Sequence, residues 1–190
     1  MVFSSAVLTL DDARAAGLRK DQVYRMVESG QLERVARGVF IRPERIDPTL
    51  VPLAAATALR SRATMCLTSA LVHHGLSDAI PFGPDIALPR GTRRPAAFGH
   101  VTWHSFDPAT FEVGRIRLDE TDDLGLWVYS AERTIVDSFR LAHHEGLDVA
   151  HTALRRWVRQ RGNSPAALLL TAAAFPQSLP RIRQALEILL

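Results

Sequence analysis

The sequence predicts an α+β chain: a small N-terminal unit of two helices and a hairpin, then an α+β domain with a small sheet and C-terminal helices. Three observations carry this. Glycines at 17, 30 and 38 punctuate the opening stretch at the spacing of two short helices and a tight strand turn. Short runs of branched and aromatic residues between 86 and 129 are separated by Pro, Gly and Asp clusters, as strands of a small sheet are. From Ser130 onward the apolar residues take up helical spacing.

Thr9 has the hydroxyl of a helix N-cap, Asp12 three residues later fits a capping box, and Asp11 suits the positive end of the helix dipole. Gly17 supplies the left-handed turn that ends this first helix, after which Leu18 drops into the core. In the second helix, Arg19 to Ser29, Val23, Met26 and Val27 share one side. Asp21, Arg25 and Glu28 then face away, with Gln22 and Tyr24 on the flanks. Gly30 closes that helix, and Val35, Val39 and Ile41 around Ala36-Arg37-Gly38 predict a β-hairpin.

Helix, turn, helix and basic hairpin in that order make a winged helix-turn-helix. Such a unit implies a duplex-DNA reader whose second helix enters the major groove, presenting Arg19, Lys20, Asp21, Gln22, Tyr24 and Arg25. The wing would bring Arg34, Arg37 and Arg42 near phosphates. Residues 18–42 hold six basic side chains against three acidic. Helix-turn-helix pairs also serve as plain packing units, with Asp21 and Arg25 a solvated i, i+4 pair; a basic hairpin in the expected place favours DNA. Only eight residues precede Thr9, so the first helix of a three-helix core is expected to be missing or reduced to Phe3 to Leu8.

At 190 residues, 47% hydrophobic and 23% charged, the composition is that of an ordinary soluble protein, with no apolar run of bilayer length. No signal peptide is read at the N-terminus, and the single Cys66 excludes an internal disulfide, so a cytoplasmic location is expected. The net charge of +3 is unevenly spread: +2 in residues 1–45, −4 in 46–150 and +5 in 151–190. Basic ends flanking an acidic middle suit contact with a polyanion. The use of 22 Arg against one Lys is assigned to codon bias.

The prolines at 43, 48 and 52 mark a linker, which divides the chain into residues 1–46 and 47–190. Helices are expected at Leu50–Arg62 and Leu67–His74, and strands at Ile86–Leu88, Val101–His104, Arg115–Leu118 and Leu126–Tyr129. Further helices follow around Ile135, around Trp157, over Pro165–Ala174 and over Pro180–Leu190, with Ser130 a natural N-cap.

Seven histidines invite a metal, but His73-His74 and His143-His144 are adjacent and diverge on a helix. His100 and His104 lack a partnering carboxylate or thiol pattern, so no metal and no cofactor is expected. Arg133 and Asp137, one helical turn apart, read as a structural ion pair rather than as catalytic groups. No phosphate loop or carboxylate cluster supports an enzyme, and the run Asp119 to Asp123 reads as a polar hairpin loop. Two basic clusters remain, Arg90, Arg93 and Arg94 in a loop and Arg155, Arg156 and Arg159 on a helix. They suit DNA or an acidic partner, or are solvated faces.

The segments Cys66 to Leu76, Leu88 to Pro95 and Tyr129 to Asp137 resemble those of the AbiEi family, antitoxins of bacterial type IV toxin-antitoxin pairs. Gly17-Leu18 and Gly30 to Phe40 are likewise similar to that family's winged helix. The resemblance implies a repressor that binds inverted repeats in its own promoter and counteracts a nucleotidyltransferase-like toxin through its second domain. On this reading the basic clusters Arg90, Arg93, Arg94 and Arg155, Arg156, Arg159 are the antitoxin surface. Some relatives continue into a restriction-endonuclease-like domain; no acidic and lysine cluster follows residue 145, so a nuclease is not expected. The alternative is a stand-alone winged-helix transcription factor whose second domain senses a ligand.

Overall fold

In the computed structural model, which describes residues 5–95, 99–118 and 124–190, the segment leading up to Thr9 is a strand, not a helix. Strand β1 (Val7–Thr9) runs into helix α1 (Leu10–Ala15), helix α2 (Lys20–Glu28) and the hairpin of β2 (Glu33–Ala36) and β3 (Val39–Ile41). β1 and β2 flank β3, both antiparallel to it. Of the two outcomes expected for the first helix, the described residues give its absence: the strand Val7–Thr9 stands where a helix reaching Leu8 would end. These branched and apolar residues complete the free edge of β3, with Leu8 buried opposite Phe40.

Thr9 ends the strand and starts the helix. Its Oγ1 accepts the Asp12 amide at 3.1 Å while Asp12 Oδ2 accepts the Thr9 amide at 2.9 Å, the reciprocal box read from the sequence. Gly17, at φ +80°, lets the Leu18 amide reach back to the Ala13 carbonyl at 2.8 Å. Leu18 then packs on the cluster of Leu8, Ala13, Val23, Leu32 and Phe40 that joins α1 and α2 to the sheet.

The second sheet comprises β4 (Thr64–Met65), β5 (Asp85–Pro89), β6 (Thr102–Phe106), β7 (Arg115–Arg117) and β8 (Trp127–Tyr129), in the order β6-β5-β4-β8-β7. β4 is parallel to β8 and β5 to β6; the other pairs are antiparallel. Helix α3 (Val51–Leu59) precedes it and α4 (Leu67–His73) follows β4. Helices α5 (Ala131–Arg140), α6 (Ala142–Glu145), α7 (Leu147–Arg159), α8 (Pro165–Ala173) and α9 (Leu179–Leu189) close the chain. α3 ends three residues before the expected Arg62 because Arg60 turns extended to feed β4. The acidic run Asp119 to Asp123 lies outside the described residues.

Strand alternation sorts the core into two layers. Met65, Ile86, Leu88 and Val128 pack with Leu53, Ala54 and Ala56 of α3. Cys66, Ala87, Phe106 and Tyr129 pack with Leu67 and Phe111. Helix α5 meets α4, α7, α8 and α9 around Ile135, Phe139, Leu154 and Trp157. Burial pushes the Cys66 thiol and the Tyr129 phenol well above their usual ranges, so both stay neutral core groups.

α3 belongs to both units. Its Ala55 packs against Ala36 and Val39 of the first sheet, while Leu53, Ala54 and Ala56 join the core of the second. Its run of alanines has a physical reason: a helix wedged between two sheets must let both backbones approach closely.

Arg133 is fully buried on α5. Its Nε donates to Asp137 Oδ2 at 2.9 Å and its Nη1 to the carbonyls of Thr110 and Val113 at 2.7 and 2.6 Å. Its guanidinium stacks on Tyr129 and Phe175. Arg140 holds the other Asp137 oxygen at 2.9 Å. The pair read from its i, i+4 spacing therefore pins the segment between β6 and β7 onto the helix layer.

Candidate nucleic-acid interface

The N-terminus of α2 is organised by its own side chains. Gln22 Oε1 accepts the Arg19 amide at 2.8 Å, so this carboxamide oxygen caps the helix and is not free to read a base edge. Asp21 stands between two arginines: Arg25 Nη2 donates to Oδ2 at 3.2 Å and Arg19 Nε lies 3.5 Å from Oδ1. Both arginines keep most of their side-chain surface in solvent, as an outward-facing pair must. Tyr24 is half-buried, edge-on to Phe40 at 5.9 Å, with the Lys20 ammonium 5.7 Å from its ring centre.

The wing turns on Arg37-Gly38, with Gly38 at φ +76°. That turn accommodates a conformation an L side chain rarely adopts and leaves Arg37 exposed at the tip. A register shift between Arg34 and Ala36 marks a bulge in β2, and Arg34 Nε donates to the Ala36 carbonyl at 3.4 Å.

α2 and the wing face a shared cleft of about 560 Å³, lined by Lys20 and Tyr24 from α2 and by Arg34 and Arg37 from the hairpin. Asp11 and Arg14 of α1, paired at 3.4 Å, and Ala58 and Leu59 of α3 are also among its walls. Four cations, one of them paired with the Asp11 carboxylate, thus line one groove beside an outward-facing helix. Arg14 is not singled out by the sequence reading; its signal is its exposed place on α1 next to the buried Ala13. Arg42 stands apart: it follows the far end of β3 from the turn, where its amide bonds to the Ala6 carbonyl at 2.9 Å.

The second unit places its basic residues on separate elements. Arg90, Arg93 and Arg94 are exposed in the loop after β5. On α7, Arg155 and Arg159 are exposed, whereas Arg156 is held by a bidentate bond to Asp78, one arm at 2.9 Å. That hydrogen bond, with the arginine's charge, lowers the Asp78 carboxyl below its ordinary range and raises Arg156.

The histidine reading needs one correction. His104 does have a carboxylate partner, Asp85 on the neighbouring strand, at 2.9 Å; cross-strand register, invisible in the linear sequence, brings them together. Asp85 also accepts from Ser69 and lines a second open cleft of about 530 Å³ with Thr68, Phe82, Thr102 and Glu145. No group of three metal-ligating side chains occurs among the described residues. No helix of the described residues is long and apolar enough to cross a membrane.

Residues 3–43 match the family model described as a transcriptional regulator, AbiEi antitoxin. The matched residues run from before β1 to just past β3, so they contain α2 and the wing. Cys66 to Leu76, Leu88 to Pro95 and Tyr129 to Asp137 lie beyond the match. No curated protein matches the chain.

Proposed function

We propose that the chain is a duplex-DNA-binding repressor of the antitoxin type. Residues 1–46 carry the reader of an inverted repeat in the promoter of its own operon, and residues 47–190 counter a cognate nucleotidyltransferase-like toxin. The observation that carries the DNA reading is the shared cleft, in which α2 and the wing turn Lys20, Arg34 and Arg37, joined by Arg14, toward one space. Cations on one face supply sequence-independent phosphate attraction, and the adjoining helix face supplies base contacts. The match to a transcriptional-regulator antitoxin family over residues 3–43 supports the same role.

In this reading Arg25 is the principal base reader, Arg19 and Lys20 contact the groove edge, and Arg37 with Arg34 holds the flanking phosphates. The chain acts by binding, not by catalysis. For neutralisation, Arg155 and Arg159 are the available cations of α7, one turn apart and exposed, because Arg156 is engaged by Asp78. The test is the full chain carrying Arg155→Glu and Arg159→Glu, co-expressed with the toxin encoded beside it. The account expects rescue from toxicity to be lost while promoter binding stays intact; undiminished rescue removes α7 from the mechanism.

The second open cleft, with Asp85, Glu145 and an exposed Phe82, favours one other reading: a transcription factor whose second domain senses a ligand. A metabolite that changes promoter affinity, together with the absence of a neighbouring toxin gene, would select it.

A further inference from the structure

The loop that follows β5 is attached to the wall of the DNA-facing cleft. Arg60, at the C-terminal end of α3, donates from Nε to the carbonyl of Arg93 at 2.8 Å and from Nη1 to the carbonyl of Leu59 at 2.6 Å. Leu59 is itself part of the cleft wall, which it shares with Lys20, Arg34 and Arg37. Two hydrogen bonds through one guanidinium therefore set the backbone of Arg93 beside the rim of that groove, although the loop belongs to the other sheet. Arg90, Arg93 and Arg94 are exposed, and among the described residues no carboxylate lies within ion-pair distance of them.

We infer that the Arg90–Arg94 loop is a second phosphate clamp, extending the duplex contact of the winged helix onto the second unit. The inference rests on the proposed DNA role of the cleft and names what it adds: backbone contacts beyond the reach of α2 and the wing. The tether to a cation-lined groove decides between partners. A loop tethered to a groove lined by Lys20, Arg34 and Arg37, beside the Arg14–Asp11 pair, shares whatever polyanion enters it, and Arg60 spends its donors on main-chain carbonyls, which fixes the loop's position without consuming its charges. Base reading is not expected of the loop, since no helix or strand presents it to a groove floor; its contribution is uniform across sequences.

The test uses the full chain, a fluorescent duplex from the region upstream of its gene and a scrambled duplex of equal length, with affinity measured across a salt series. Each phosphate contact contributes about 0.9 to the slope of log affinity against log salt. The variant Arg93→Ala with Arg94→Ala should lower the slope by about 1 to 2, and weaken both duplexes by a similar factor, of order 3- to 10-fold near physiological salt. Arg93→Lys with Arg94→Lys should keep most of the slope, and Arg155→Ala with Arg159→Ala should leave it unchanged. A wild-type slope in the Arg93/Arg94 alanine variant, alongside a reduced slope in Arg34→Ala with Arg37→Ala, overturns the clamp and leaves the winged-helix reading standing. Absence of duplex binding by the unmodified chain overturns both. The loop variants retain the Arg93 carbonyl, so an unchanged thermal melt establishes that lost affinity is not lost folding.

Discussion

Across one turn of α2, Arg25 leans back onto Asp21, its Nη2 3.2 Å from Oδ2, while Arg19 approaches the other carboxylate oxygen at 3.5 Å. On a surface meant for a polyanion, a carboxylate has a use only if it orders the cations around it. A guanidinium held in one orientation loses less entropy when it forms a bidentate contact with a guanine edge.

Asp21→Ala should therefore act in opposite directions on two duplexes. Removing a negative charge raises affinity for a scrambled duplex about 2- to 3-fold, while freeing Arg25 lowers preference for the promoter duplex about 5- to 10-fold. Fluorescence anisotropy on both duplexes reads the two effects together. A parallel change on both leaves Asp21 as a simple surface charge.

Residues 1–46 alone should not give a cooperative melt. Cut there, the fragment lacks α3, and Ala36 and Val39 lose the Ala55 that covers them. So short a unit buries too little apolar surface to fold unaided. Circular dichroism should show a broad, non-cooperative transition; a sharp transition with wild-type promoter affinity would mean that α3 is dispensable.

Gly114→Ala should cost about 2 to 3 kcal/mol, because two effects combine there. Its φ is +67°, and a Cβ would stand 2.5 Å from the Arg133 Cβ. Nor can Arg133 withdraw, since its guanidinium is bonded to Asp137 and to the Thr110 and Val113 carbonyls. Denaturant unfolding measures the loss; a near-neutral value would show that the segment before β7 is free to shift.

Asp78 supplies a pH dependence of known sign. Its folded carboxyl lies below its ordinary value owing to the hydrogen bond from Arg156, so its contribution is fully present above that ordinary value. It is lost as pH falls through the lower folded value. Melts of Asp78→Asn should thus converge on wild type as acid is added below about pH 4 and differ most near neutrality. A difference independent of pH would assign the effect to packing of the loop before β5.

Most of the fold is legible in local sequence because its elements are set by local chemistry. Thr9 with Asp12, Gly17, Gly30 and Gly38 each fix a boundary through a bond or a dihedral that neighbours determine. The strands at 86, 102, 115 and 127 announce themselves by branched residues between turn formers. What escapes is non-local. β4 is only Thr64–Met65, and it is a strand because β5 and β8 pair with it on either side. β1 is a strand because β3 offers an open edge. The site follows the same division: Lys20, Tyr24, Arg34 and Arg37 come from the helix and hairpin that local spacing sets, whereas Arg42 lies away from the wing turn and Gln22 caps the helix. The contributions of Arg14 and Arg60, the Asp85 partner of His104 and the occupation of Arg156 by Asp78 depend on contacts between distant segments.

The central claim is that α2 and the wing read duplex DNA by sequence, and one binding measurement tests it most directly. Full-length protein is titrated against a duplex from its own upstream region and against a scrambled duplex, for the unmodified chain, Arg25→Ala and Arg37→Ala. The account predicts tighter binding to the promoter duplex, a preference largely lost in Arg25→Ala, and a loss of about 1–3 kcal/mol on both duplexes in Arg37→Ala. Equal affinity of the unmodified chain for the two duplexes, or promoter preference untouched by Arg25→Ala, would contradict it.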